Sequence, residues 1–373
     1  MLRGRRVPSS DRPPLFLTNY RGGGIGDFGF ALGGHLASRP GGLRVEETAI
    51  DGEGSFRQSW LAATYSGKVI ANLGLTAWGT SGPRNFSGFT SLGIHQALGL
   101  PTIVIVHHAI EIFDPLETGF AVRPLLRLGA HLAILSLSQC RLVVFSPRLK
   151  DLLTGSYGAR SVWLTPLPGE RARFMPTPRS AGKPKVVSAG YWAPYKGIDI
   201  FLGLAERLGP AFDFYLVGKP HPILSHEPKF RQRVERWEER ANRLGVRQPG
   251  FLTADQLDFE FKENTIGVLP YTSASGASAS FQLFAERAIP VVASHLPEFQ
   301  YLARSGAGVL TAPPTEDDLS RAVLRLSSDH ALWLQLARMQ AKFAQDNSWG
   351  PFIDGLLEEP VASPSTLRAT NEP

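Results

Sequence analysis

Apolar residues in this chain gather into short runs, and most runs lead through a turn into a segment of helical spacing. Leu15 to Thr18, Val69 to Leu75, Pro101 to Val106, Leu142 to Phe145 and Val162 to Thr165 read as strands in the first half. Between them lie an amphipathic helix from about Asp27 to Ser38, helical periodicity from about Arg123 to Ser138 and a helix starting at Pro147. The second half repeats the pattern with strands at Lys185 to Ala189, Asp213 to Val217, Ile266 to Leu269, Val291 to Ala293 and Gly308 to Thr311. Its helices are predicted up to Leu208, over 226–244, from Ser278, from Glu316 to Leu326 and from about Ala331 to Gln345. The 226–244 helix is so rich in charge that its face, Trp237 included, reads as solvated. Strands alternating with helices predict parallel pairing, so the expected class is α/β with two doubly wound, Rossmann-like domains. Residues 166–184 hold five prolines and no periodicity. The divisions are a basic lead at 1–14, a first domain at 15–170, a linker at 171–184 and a second domain at 185–345. A segment at 346–361 is expected to cross back to the first domain, before a disordered tail at 362–373.

Candidate chemistry sits at the carboxyl ends of these strands, where open α/β sheets bind ligands. The stretch from Ile266 to Ala293 is a buried strand, a bare loop of small residues, a helix and a second strand. The loop from Thr272 to Ala277 includes Ser275 and Gly276, and little in it would keep a ligand from the backbone. Ser278 can cap the helix that Ala279 and Ser280 begin, whose apolar face is Phe281, Phe284, Ala285 and Ala288. Unpaired amides and the positive end of the helix dipole suit a phosphate there; an ordinary strand–loop–helix unit without ligand is the alternative. Near the amino terminus, Gly22, Gly23, Gly24 and Gly26 form a loop before a helix. Its spacing is not that of a dinucleotide fingerprint, and it reads either as a ligand cradle or as a tight turn. The loop from Trp78 to Gly88 carries Arg84, Asn85 and Phe86, side chains suited to a sugar or acceptor; an ordinary solvent-exposed loop is the equal alternative. His107 ends a buried strand at a ligand-binding position, with the carboxylates of Glu111 and Asp114 just beyond it.

Composition narrows the class. At 373 residues, with 43% hydrophobic and 19% charged, the chain is an ordinary globular protein long enough for two cores. A formal charge of +6 is a mild surplus. It suits an anionic small molecule or an anionic membrane surface, and no basic run with interleaved aromatics points to nucleic acid. Cys140 is the only cysteine, which excludes an intrachain disulfide and a cysteine metal cluster and predicts a buried, inert thiol. The apolar run Leu15 to Leu17 after the basic lead is too short for the core of a signal peptide, and no stretch approaches the roughly 20 apolar residues needed to span a bilayer. The expectation is a cytoplasmic protein, with peripheral contact at the inner membrane face through a lead bearing Arg3, Arg5 and Arg6.

The order of the motifs, from about Leu15 to Leu357, resembles the GT-B nucleotide-sugar glycosyltransferases of family-four type. Gly190 to Gly197 matches the glycine–lysine–glycine motif that opens the second domain of such proteins. Leu269 to Tyr271 matches their PS or PY loop, and Ile289 to Ser294 their x-Pro-Val-Val-Ala-Ser strand. The Gly22 to Gly26 loop, the strand ending at His107, Ser146 and the turn from Pro166 to Gly169 with Phe174 also fall in place. The resemblance implies transfer of a hexose from a nucleotide diphosphate sugar to a glycan or lipid-linked acceptor, with no metal and no cofactor beyond the donor. Lys196 and the helix near Ser278 would neutralise the leaving diphosphate. Gly190, Tyr191, Tyr195, Gly197, Tyr271, Ser275, Gly276, Ala279 and Ser280 would surround the nucleotide, and His107 would contact the donor sugar. The glycine loop, Arg84 and Phe86 would shape the acceptor side. In an inverting reaction, Asp27, Glu111 and Asp114 are the candidate bases.

Two departures stand out. Tyr191 replaces the family's arginine, and the usual glutamates eight apart fall on Ser275 and Leu283. Glu286, one helical turn beyond Leu283, is the candidate substitute at the ribose. The missing pair keeps open an inactive nucleotide-sugar-binding partner subunit, and the fold also admits a sugar-nucleotide epimerase.

Overall fold

The computed structural model describes residues 13–19, 24–39, 44–48, 65–73, 87–107, 134–176, 182–222, 224–261, 263–274 and 276–358. The first half contains β1 (Leu15–Asn19), α1 (Gly24–Ala37), β2 (Arg44–Thr48), β3 (Val69–Leu73), α2 (Ser87–Ala97), β4 (Thr102–Val106), β5 (Arg141–Val144), α3 (Pro147–Tyr157) and β6 (Ser161–Leu164). The second half contains β7 (Lys185–Ala189), α4 (Ile198–Leu208), β8 (Asp213–Val217), α5 (Pro228–Arg243), β9 (Arg247–Gly250), α6 (Ala254–Phe261), β10 (Thr265–Leu269) and α7 (Ala279–Ala285). There follow β11 (Val291–Ser294), α8 (Pro297–Arg304), β12 (Val309–Ala312), α9 (Glu316–Ser328), α10 (His330–Asp346) and α11 (Trp349–Leu357).

The strands form two six-stranded sheets, ordered β2-β1-β3-β4-β5-β6 and β12-β11-β10-β7-β8-β9. The pairs are parallel throughout. Alternation along each strand sends side chains to opposite faces. In the first sheet Leu15, Leu17, Val104 and Val106 enter one core, while Phe16, Ile103 and Ile105 enter the other. In the second, Phe214 and Leu216 face one core and Tyr215 and Val217 the other. Both faces of each sheet are therefore covered, as parallel sheets require.

Some elements differ from the sequence expectation. β2 and β9 and the helices α2 and α6 are absent from it. α1 begins at Gly24, so Gly24 and Gly26 lie in the helix and not in the loop before it. α5 is charged on one side only: Phe230, Val234, Trp237 and Ala241 are buried against the second domain. Trp237 is a core residue and not part of a solvated face, and its indole donates to Asp199 Oδ1 at 2.8 Å. Cys140 is buried, its Sγ 3.8 Å from the Leu92 carbonyl, and burial pushes its thiol up to about 12. Among the described residues, no helix is long and apolar enough to cross a membrane.

The chain passes between the domains twice, and the two passages touch. Gly169 pairs with Ser348 in parallel fashion, with Gly169 N donating to Asn347 O and Trp349 N to Gly169 O. α11 then covers the first sheet, placing Trp349, Phe352, Ile353 and Leu356 in the core that holds Phe16 and Phe28. Its last carbonyls would lack partners inside the helix. Cations of the first domain supply them: Arg141 donates to the carbonyls of Gly355, Leu356 and Glu358, and Lys68 to that of Leu357. The Arg141 guanidinium also lies over the Trp163 ring at 5.5 Å. Arg141→Ala should lower unfolding stability by about 1.5–3 kcal/mol, the worth of hydrogen bonds from a charged donor. Urea denaturation checks this, and a loss below about 0.5 kcal/mol, typical of an ordinary surface change, would place the anchor of α11 elsewhere.

Candidate functional site

Ligands of open parallel sheets collect beyond the carboxyl ends of the strands, and here the two sheets turn those ends toward each other. Ser146, just past β5, donates through Oγ to Glu298 Oε1 of α8 at 3.1 Å, and both side chains are buried. Ala277, in the loop after β10, packs into the first-domain core that contains Phe28 and Phe145.

On the second-domain side, the chain leaves β7 through Gly190 and makes a single 3-10 turn from Pro194 to Lys196, closed by Gly197 at φ 67°. Two glycines there are required by close approach. A Cβ on Gly197 would overlap the Pro270 carbonyl, and one on Gly190 would lie 2.6 Å from Ser280 Oγ. Thr272 N donates to Tyr195 O at 2.9 Å, which fastens the two loops together. Lys196 is thereby brought over the end of β10. Its ammonium donates to Tyr271 Oη and lies 4.2 Å from the Tyr271 ring centre and 5.4 Å from that of Tyr195. Tyr271 Oη is 2.9 Å from Ser278 Oγ, and Ser278 caps α7 by accepting from Phe281 N at 3.3 Å.

Among the described residues, Lys196 is in an ion pair with no carboxylate. Burial pulls its proton affinity down, but the neighbouring phenols, Tyr271 before Tyr195, outweigh that and the net direction is up. The group is therefore cationic at neutral pH. His221, after β8, is held below its usual value by burial and then by the Lys196 charge. Its Nδ1 is buried without a hydrogen-bond partner. Tyr191 lies beside it with ring centres 5.6 Å apart, and Phe251 lies 5.1 Å from Tyr191. The sequence reading did not single out His221, although a histidine three residues past a strand-ending glycine is a signal of the same kind as His107.

On the first-domain side, His107 Nε2 is 2.7 Å from Asn72 Oδ1, and Asn72 Nδ2 donates to Thr18 Oγ1 at 3.1 Å. Because the Asn72 oxygen can only accept, the Nε2 atom carries the hydrogen. Phe28 and Phe145 wall the imidazole at 4.8 and 5.3 Å. Gly29 is required here, since a Cβ would overlap Thr18 and Asn72.

The structure brings Gly190, Tyr195, Lys196, Gly197, Tyr271, Ser278 and Ser280 together, with Tyr191 beside them. Gly276 precedes and Ala279 begins α7. Asp27 is exposed in the first turn of α1, close in sequence to Phe28 of the His107 wall. Gly22, Gly23, Arg84, Phe86, Glu111, Asp114 and Ser275 lie outside the described residues.

No family model matches the chain, and no curated protein does. Solved structures match its fold. Anabaena HepE in complex with UDP superposes with a TM-score of 0.66 over 92% of this chain and 98% of its own, at 14% identity. Sucrose-phosphate synthase from Thermosynechococcus elongatus matches at 0.66 over 92% and 97%, at 17% identity. A glycosyltransferase from Rickettsia africae ESF-5 matches at 0.64 over 92% and 97%, at 12% identity. The architecture is thus GT-B: two Rossmann-like domains facing across a cleft.

Glu286 is placed apart from the lysine site. It follows the last residue of α7, at the opposite end from Ser278 and Ser280. Its Oε1 accepts from Glu170 N at 3.1 Å, and its backbone oxygen accepts from Arg173 N at 2.7 Å. The carboxylate is thus directed to the backbone at Glu170, while Leu283 packs against the apolar core. Burial, the largest influence, pushes the Glu286 carboxyl up, against the Glu170 amide and Arg287. A carboxyl with a raised folded value binds its proton more tightly folded than unfolded. Its stabilising contribution is full below the unfolded value and is lost as pH rises through the folded one. At pH 7 the ionised group therefore carries its burial cost. Glu286→Gln should melt at or above the wild-type temperature at pH 7, with the difference shrinking toward pH 4. A variant that melts well below wild type at pH 7 would mean that the Glu170 and Arg287 contacts outweigh burial.

Proposed function

We propose that this protein is a glycosyltransferase that moves a hexose from a nucleotide diphosphate sugar to a glycan or lipid-linked acceptor. The observation that carries this reading is the Lys196 ammonium, half-buried against two phenol rings beyond the carboxyl ends of β7 and β10, with no carboxylate partner among the described residues. A cation so placed calls for an anion, and the fold has relatives in shape that bind one: HepE is solved with UDP, with UDP and glucose, and with UDP-glucose.

The proposed transfer is a substitution at the anomeric carbon. The acceptor oxygen forms a bond to that carbon as the bond to the diphosphate oxygen breaks. Negative charge grows on the departing diphosphate, and the fixed Lys196 ammonium meets it without reorganising. His107 would contact the donor sugar, its ring held by Asn72. In an inverting transfer the acceptor proton would pass to a carboxylate, with Asp27, Glu111 and Asp114 the candidates. The charge on the leaving group requires no metal in this scheme.

A second reading has its own support. Leu283 is apolar and Glu286 is committed to the Glu170 backbone, so no acidic side chain replaces the family's ribose contact on α7. A nucleotide-sugar-binding subunit without transfer would tolerate that loss. Release of nucleoside diphosphate from a panel of nucleotide sugars, with and without glycan acceptors, separates the two readings. A transferase releases it and a binding subunit does not. Lys196→Ala should cut that release roughly a hundredfold or more, through loss of a charge-assisted contact to the leaving group. Turnover near wild type would remove Lys196 from the site.

A further inference from the structure

Lysine is a poor fixed charge by itself: its ammonium rides on a flexible four-carbon stem. A preorganised site therefore needs something to hold it. The holder on this chain is a phenol 75 residues away in sequence. Tyr271 is only 3% exposed, and its ring is wedged edge-on against Phe299 at 5.2 Å and Tyr195 at 5.9 Å. Its oxygen meets the Lys196 ammonium on one side and Ser278 Oγ on the other. Ser278 Oγ is itself fixed by the Phe281 amide at the start of α7. The result is a continuous rigid line from the α7 backbone through Ser278 and Tyr271 to Lys196. An ammonium has three donors and no acceptor; among the described residues Tyr271 Oη receives one, and the other two are available to phosphate oxygens.

We propose that Tyr271 is a positioning residue whose hydroxyl holds the Lys196 ammonium in place for the leaving diphosphate of the donor. This rests on the nucleotide-sugar reading above. It adds that the diphosphate contact is a coupled unit of lysine, phenol and serine, so that Tyr271→Phe would keep the packing and weaken the contact. The phenols also favour the charged lysine. Removing the Tyr271 hydroxyl should therefore move the alkaline limb of diphosphate binding to lower pH.

A double-mutant cycle tests this. Wild type, Lys196→Ala, Tyr271→Phe and the double variant are titrated calorimetrically with UDP, GDP, ADP and dTDP, and the tightest ligand is followed. Tyr271→Phe is expected to weaken that ligand about tenfold, the worth of one hydrogen bond to a charged group. In the Lys196→Ala background the same change should do almost nothing, because a residue acting through the lysine has nothing left to position. Equal losses in both backgrounds, or an unmoved alkaline limb in Tyr271→Phe, would overturn the positioning role while leaving the lysine site standing. Lys196→Ala binding as tightly as wild type would overturn both. If Tyr271→Phe fails to fold, Ser278→Ala reports on the same line, since it leaves Lys196 and Tyr271 in place. It should weaken the ligand several-fold only while Lys196 is present, and an effect independent of Lys196 would sink the proposal.

Discussion

The feature on which this site depends is a charge with no opposite charge beside it among the described residues. Withdrawing an ammonium from water is costly unless it is paired or hydrogen-bonded. Lys196 meets that demand with a phenol oxygen and two ring faces, Tyr271 and Tyr195. Those partners hold the cation without neutralising it, whereas a carboxylate would have filled its coordination and cancelled its field. Much of the local covalent arrangement serves that placement. Gly197 lets the turn lie against the Pro270 carbonyl, and Gly190 admits Ser280. The Thr272 amide ties the two loops together through Tyr195 O.

The two halves of the site are held in relation by the way the chain returns. α11 belongs to the first domain by packing and to the second by connection, and Trp349 at its start lies 5.3 Å from Phe28. Phe28 in turn walls His107. The aromatic layer under His107 is therefore built partly from the last helix of the described chain, and Ala277 of the second domain rests on the same layer. The buried contact between Ser146 and Glu298 adds a polar tie at the strand ends. Interdomain position is thus set by packing around the site itself.

Much of the fold was legible in the sequence because both sheets are covered on both faces, so their central strands are unbroken apolar runs. The edges were not. β2 reads Arg-Val-Glu-Glu-Thr, and β9 contains Pro249 and ends in Gly250, compositions that argue against a strand. Both lie at the margin of a sheet, where one side of the strand has no partner and the demand for apolar residues is relaxed. Trp237 was misread because charge count hid a seam of four apolar residues at helical spacing. Near Lys196 one local signal held: Ser278, a serine before an apolar helix, caps it. What could not be read locally is the pairing of Lys196 with Tyr271, the hydrogen that Asn72 places on His107 Nε2, and the commitment of Glu286 to the Glu170 backbone. Each joins residues remote in sequence.

The central claim is that the cleft offers an unneutralised cation for a diphosphate. Thermal denaturation of the wild-type protein with each nucleoside diphosphate, set beside the matching nucleoside, tests it most directly. A ligand at 100 times its dissociation constant stabilises the folded state by about 2.7 kcal/mol. The account predicts a clear rise in melting temperature for at least one diphosphate and a much smaller one for its nucleoside at the same concentration. Equal shifts for the two, or none with any diphosphate at millimolar levels, would contradict it.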